Sequence, residues 1–416
     1  LSSASLETES LPHLTNFTDQ AISPGHLAYI GADGNVYVTT PDQWEALAVT
    51  DDATAPREGG GLSYQRISWS PEGHLAFASV VRTRDDAKST LYVAETFDQP
   101  ARVVGQSDNH FVIYIYWSPV ACPHTPNCRQ LAYLIEEETD IGLHLVEMNG
   151  ETIDNQIIGF GWPYYFSWSP DGTSILWHTG GSIQENEQAQ LMQYDLLERE
   201  ALHLPLSPAA FLAPAWSPVD TRWLGAVNDG ETDQLQLLGE STPVDISMVS
   251  RGGTSFAWGP TGTQIAYAVR PNSDHQFYGP IHLFETETQQ SRQLTDDGLQ
   301  ILAFFWDPAG ERLGYLTLVP MAGGDWMQWR VYDVAQDIDR GFKLFNPSLQ
   351  MKFVMSSFNQ YAQSHRFWSP DGRYLVYASR NEVLRLEQVG VIDTWDEDNS
   401  NTTIIAAGTM GFWSWQ

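Results

Sequence analysis

One pentapeptide limits what this chain can fold into: Trp-Ser-Pro-Asp-Gly, or a variant of it, returns at a nearly fixed spacing along almost all of the 416 residues. It is complete at Trp168–Gly172 and Trp368–Gly372, carries Glu72 in place of Asp in Trp69–Gly73, and survives in weaker form at Trp117, Trp216, Trp258 and Trp306. The steps are 48 residues (69 to 117), 51 (117 to 168), 48 (168 to 216), 42 (216 to 258), 48 (258 to 306) and 62 (306 to 368). A last pair, Trp413 and Trp415, follows 45 and 47 residues later. A period of this size marks an array of like units, each too small to bury its own apolar faces.

Within a unit the order is constant: an apolar run ending in Trp, the turn, then three short runs rich in β-branched and aromatic residues. In the second unit these runs are 64–69, 75–80, 90–95 and 101–104, separated by Gly, Asp, Pro and Ser, so the unit reads as four strands. The turn has its own logic. Pro presets φ, the Asp side chain bonds backbone two residues on, and Gly supplies a positive φ. The repeated Asp and Ser are therefore expected to be turn residues. Where the pattern decays, in Gly259–Gly262, Asp307–Gly310 and Ser217–Asp220, the Pro is kept, and Asp220 is the least comfortable substitute for Gly.

These residues resemble the TolB-type, WD40-like β-propeller repeat over about residues 21–416. The resemblance implies an all-β fold, a single β-propeller of four-stranded blades, with the Trp run innermost and the other three moving outward from a central channel. The unit count predicts eight blades, where TolB itself resembles a six-bladed version. The alternative is seven, with the short fifth unit merged or distorted. The first unit lacks an inner strand, and Met410–Gln416 has the character of one without outer strands of its own. The C-terminal strand, with Trp413 and Trp415, is thus expected to complete blade one and close the ring. Residues 1–20 form a polar arm and residues 21–416 one toroidal domain.

Charge and cysteine usage narrow the function. With 52 acidic and 21 basic residues the net charge is -31, which repels nucleic-acid phosphates and anionic membrane surfaces. No apolar run approaches the ~18 residues that span a bilayer. Cation binding is the sharper alternative to simple solvation. Asp393–Asn399 carries oxygen ligands for calcium but lacks the Gly-containing loop frame of a strong site, so no cofactor or metal is expected. The two cysteines, Cys122 and Cys128, close a short proline-bearing loop. A local disulfide is favoured there over a metal site of Cys122, His124 and Cys128, which has no obvious fourth ligand. A disulfide implies an oxidising compartment, extracellular or periplasmic, and Leu1 in place of an initiating Met fits either removal of an export signal or a sequence trimmed at its start.

The chain contains no Gly-x-Ser-x-Gly elbow, His-Glu-x-x-His pair, phosphate loop or dinucleotide fingerprint. The expectation is a secreted, non-catalytic propeller acting as a structural or interaction protein, with protein partners that include other copies of itself. Leu6, Leu11, Leu14 and Phe17 of the arm would fill pockets on a neighbour while the backbone pairs with an outer strand, giving a filament or surface layer. Two alternatives stand beside it: a TolB-like envelope scaffold that binds a peptide or protein on one face, and a glycan-active hydrolase or lyase with carboxylates in the channel. The longest interval holds an insertion at 336–363 with an apolar stretch, Met351–Phe358, read either as a binding surface or as a flap on its own blade.

Overall fold

A computed structural model of the chain describes residues 25–416 except 43, 55–59, 84–85, 124, 126, 181–188, 210–211, 229, 250–252, 272–276, 322–323, 382 and 397–401. The fold is a β-propeller. Successive strands pair antiparallel from the Trp run outward, as in Ile301–Trp306, Arg312–Met321, Gly324–Asp333 and Ile338–Phe345. The near-continuous burial of inner strands such as Tyr164–Trp168 and Ile301–Trp306 follows from sheets packed on both faces, whereas the outermost strands Glu200–His203 and Gln290–Gln293 are exposed throughout.

Among the described residues there are seven sheets, the alternative count and not the expected eight. The merger is not at the fifth unit, which keeps its own sheet although its Trp-bearing inner strand is reduced to Ala215–Trp216. It lies at the seam of the ring. Strand Thr402–Trp413 first pairs with Leu386–Asp393, Ala407 opposite Gln388, as the outer strand of the eighth unit. It then runs on to pair with Leu27–Gly31, Trp413 opposite Leu27, as the inner strand of the first. One unbroken backbone therefore fuses two repeat units into a six-stranded sheet, and the ring is closed by the C-terminal strand as expected. At the handover Gly408 passes so near the Ile30 carbonyl that a Cβ would lie 2.5 Å from its oxygen.

The repeated Trp does more than fill the core. Its indole Nε1–H donates to a backbone carbonyl of the preceding unit: Trp117 to Ser68 (3.1 Å), Trp168 to Tyr116 (3.1 Å), Trp258 to Ala215 (3.0 Å), Trp306 to Ala257 (3.2 Å), Trp368 to Phe305 (3.0 Å) and Trp69 to Phe412 (3.0 Å). In every case the acceptor is the residue just before the neighbour's Trp. Trp216 and Trp413 depart from the pattern, with no acceptor for Nε1 among the described residues.

The turns dock in the same direction. Ser169 donates to Asp171 at 2.6 Å and Asp171 accepts from the Thr173 amide at 3.1 Å, which is the turn role expected of them. Gly172, at φ +67°, has no room for a Cβ because Val120 of the preceding unit would be 2.7 Å from it. Where Asp220 replaces Gly, the turn is held differently: Asp220 accepts from the Arg222 amide (3.0 Å) and guanidinium (2.7 Å), and Arg222 reaches the Gly262 carbonyl of the next unit (3.1 Å).

The insertion forms two helices, α1 (Leu349–Ser356) and α2 (Phe358–Ser364), with Ser348 capping α1 by accepting from the Met351 amide. It is neither a free face nor a flap on its own blade. Phe358 packs tilted against Phe304 (4.7 Å), Tyr361 meets Tyr114 edge-on (5.4 Å) and stacks on Phe412 (6.1 Å), and Gln360 bonds both backbone groups of Phe166 (2.9 and 2.7 Å). These partners belong to inner strands on different sides of the ring, so the helices plug the channel.

The indole bonds predict a difference between two half-buried tryptophans. Trp258→Phe strands the Ala215 carbonyl and should cost about 1–3 kcal/mol more in denaturant unfolding than Trp216→Phe, which breaks no such bond. Equal losses would contradict the inter-unit role.

Candidate functional site

The unit Trp is followed by a turn that in all but the last of the series carries Pro two residues on, so the ring brings the same residue types together on one face. Trp168, Trp216, Trp258, Trp306, Trp368 and Trp415, with Pro119, Pro170, Pro218 and Pro260, line a funnel of about 260 Å³. Its other wall is the end of the plug and the start of the next inner strand: Ala362, Gln363, His365 and Arg366. The channel is stopped below it, and the funnel is blind.

The polar groups in this lining are few and differ in state. Gln363 donates to the Pro214 carbonyl (3.2 Å), tying the plug to the fifth unit. His365 Nε2 lies 3.1 Å from the Ile67 carbonyl and must donate there, so Nδ1 accepts from the Ser364 hydroxyl 2.6 Å away. Burial pushes His365 down to about 3, against the smaller opposing pull of the Ile67 carbonyl, and the ring is neutral. Ser364, which also accepts from the Tyr114 hydroxyl, is buried, and so weak a base would not activate it near neutral pH. The Ser364 and His365 pair is a lock between plug and strands.

Arg366 is the exception. Its guanidinium lies 3.9 Å over the Trp415 ring, and burial lowers it to about 10, opposed by nearby Tyr116, which leaves it charged at neutral pH. No hydrogen-bond acceptor or carboxylate among the described residues takes it, and its Nε is buried without a partner. Below the plug a second guanidinium, Arg66, lies 4.6 Å over Phe353, beside a pocket of only about 50 Å³.

Among the described residues, no carboxylate lines the pockets beside these cations. The inner strands Gly60–Trp69, Val112–Trp117, Tyr164–Trp168, Ala215–Trp216, Thr254–Trp258, Ile301–Trp306 and Thr402–Trp413 contain no Asp or Glu, nor do α1 and α2.

The other residues singled out in the sequence lie elsewhere. Cys122 and Cys128 are joined as a disulfide in the turn after Trp117, with Cα atoms 5.2 Å apart, so their thiolates are not available to a metal. Trp413 is fully buried opposite Leu27, and Trp415 donates to the Trp69 carbonyl (3.0 Å) while lining the funnel. Leu6, Leu11, Leu14 and Phe17 lie outside the described residues. In the acidic loop, Arg373 holds both oxygens of Asp393 (2.6 and 3.1 Å), and the described residues contain no group of three His, Cys, Asp or Glu placed to hold a metal. A second exposed apolar strip, Ile157, Phe160 and Trp162, runs along an outer edge strand and its end.

Sequence reasoning passed over Arg366, although the repeat marks it. Two residues before the unit Trp, the other units carry Ile67, Ile115, Phe166, Pro214, Phe256, Phe304 and Gly411. The eighth alone places a charge there.

Comparison with solved structures returns propellers. The chain aligns over 93% of its length with 58% of Porphyromonas gingivalis dipeptidyl peptidase 4, at 11% identity and a TM-score of 0.57. It aligns over 84% with 50% of a prolyl endopeptidase, at 11% identity and 0.55. With TolB from Acinetobacter baumannii it shares 13% identity over 79% of each chain, at a TM-score of 0.39. The chain spans about half the length of the two peptidases. No protein-family model matches it, and no curated protein does. At these identities the likeness shows the fold alone, the β-propeller that the TolB-type resemblance implied.

Proposed function

We propose that this chain is a non-catalytic interaction propeller of an extracellular or envelope compartment, and that it holds a protein or peptide partner in the tryptophan funnel. The observation that carries the reading is a blind, concave, aromatic site whose one charged group is left unsatisfied by the protein itself. Tryptophan and arginine are the residues that dominate protein recognition when they sit in a desolvated hollow. The lack of carboxylates on the inner strands, together with a neutral, hydrogen-bonded His365, supports binding over hydrolysis or elimination. The disulfide supports an oxidising compartment, and no described helix is long and apolar enough to cross a membrane. Of the expected forms, the scaffold that grips a partner across one face is the one this geometry favours. Selection of a displayed peptide library on the folded chain tests it. Enriched peptides should lose binding when Ala362→Phe fills the funnel and keep it in Phe160→Ser on the outer edge; the reverse pattern would move the site to that edge.

Self-assembly through the N-terminal arm is the second part of the proposal. Its support is where the arm joins the ring: the His26 amide bonds Ser414 Oγ (2.9 Å) and Gly25 abuts Pro370, next to Trp415 and Trp368 of the funnel. The first described residues thus lie beside the rim, and an arm of 20 residues has the reach, at ~3.3 Å per extended residue, to engage a neighbouring copy. Light scattering on the chain without residues 1–20 should show loss of assembly with an unchanged ring; unchanged mass would exclude the arm.

A further inference from the structure

We infer that the funnel reads a chain end: it takes a peptide whose C-terminal carboxylate pairs with Arg366 while the last side chain lies among the tryptophans. This rests on the funnel being the binding site and adds the chemical class of what enters it. Leaving a guanidinium half-buried in an aromatic hollow without an anion is costly, and here no described residue supplies one. The Trp415 ring 3.9 Å beneath it holds the planar fork in place, so little is lost in ordering it when a carboxylate arrives. The same wall holds a second unmet donor, buried beneath its surface. The Trp216 indole N–H has no acceptor among the described residues, whereas Trp168, Trp258, Trp306 and Trp368 spend theirs on the neighbouring unit.

The sign of the local field also favours an anion. The chain as a whole carries -31, yet none of the described residues lining the funnel is Asp or Glu, so a carboxylate that reaches the site meets a cation in its wall. Shape then selects the kind of carboxylate. The plug closes the funnel, and about 260 Å³ holds one large side chain with its terminal group. A chain terminus enters such a blind site by its leading end. An internal Asp or Glu would have to bring the backbone in and out through the same mouth.

The test compares three acetylated probes by quenching of tryptophan fluorescence and by calorimetry: alanyl-phenylalanine as the free acid, the same dipeptide as its amide, and alanyl-glutamyl-phenylalanine amide, whose only carboxylate is internal. The free acid should bind at least tenfold more tightly than either amide. Arg366→Gln should erase that preference, and Arg366→Lys should keep part of it. Equal binding of acid and amide to the natural chain would overturn the carboxylate inference while leaving the funnel as a site. Binding of the internal-glutamate probe as tight as that of the acid would retain the ion pair and overturn the chain end. If library peptides bind in the funnel but none of the three probes does, the inference falls and the proposed function stands. The acid-to-amide comparison needs no variant, so a poorly folding Arg366→Gln leaves the test decisive.

Discussion

The bond that six units make from the indole N–H to the carbonyl just before a neighbour's Trp sets the geometry of this ring. Tryptophan suits the role because it joins a large apolar body to one fixed donor. Six such bonds, at 3.0 to 3.2 Å, align the ends of consecutive inner strands. Because every bond joins equivalent points of adjacent units, the tryptophans themselves must converge on one face. The funnel is thus a consequence of how the ring is held, and the two unbonded indoles, Trp216 and Trp413, mark where the repeat is weakest and where it is sealed.

A ring of this size leaves a channel lined by aromatic inner strands, and the insertion before the eighth unit covers it. Phe358, Tyr361 and Met351 of the plug are buried against those strands, while Gln360 and Ser364 satisfy polar groups that would otherwise be stranded. Plugging converts a passage into a closed hollow. That one change favours a ligand held at one face over a substrate passing through.

The Trp-Ser-Pro-Asp-Gly period made the fold legible, because its turn chemistry and strand spacing admit few solutions. Blade number was less legible. Eight Trp positions are present, but the backbone of Thr402–Trp413 is continuous across the seam, and continuity of hydrogen bonding is a property of three dimensions. The short fifth interval cost no sheet, since its unit keeps one of its own, with Arg222 and Asp220 holding its turn. The plug was hidden for a different reason: helices of 8 and 7 residues, with no acidic residue in the first turn, give little periodic signal. Arg366 could have been found by aligning the units on their Trp, since a charge in an otherwise apolar or small column contradicts the fold chemistry and points to function.

Native-state hydrogen exchange across Leu349–Ser364 tests the closed channel most directly. If these helices seal the ring, the amides of Gln360, Tyr361 and Ser364 exchange as slowly as those of the inner strand Ile301–Trp306. Exchange as fast as that of the exposed outer strand Glu200–His203 would contradict the plug, and with it the blind funnel.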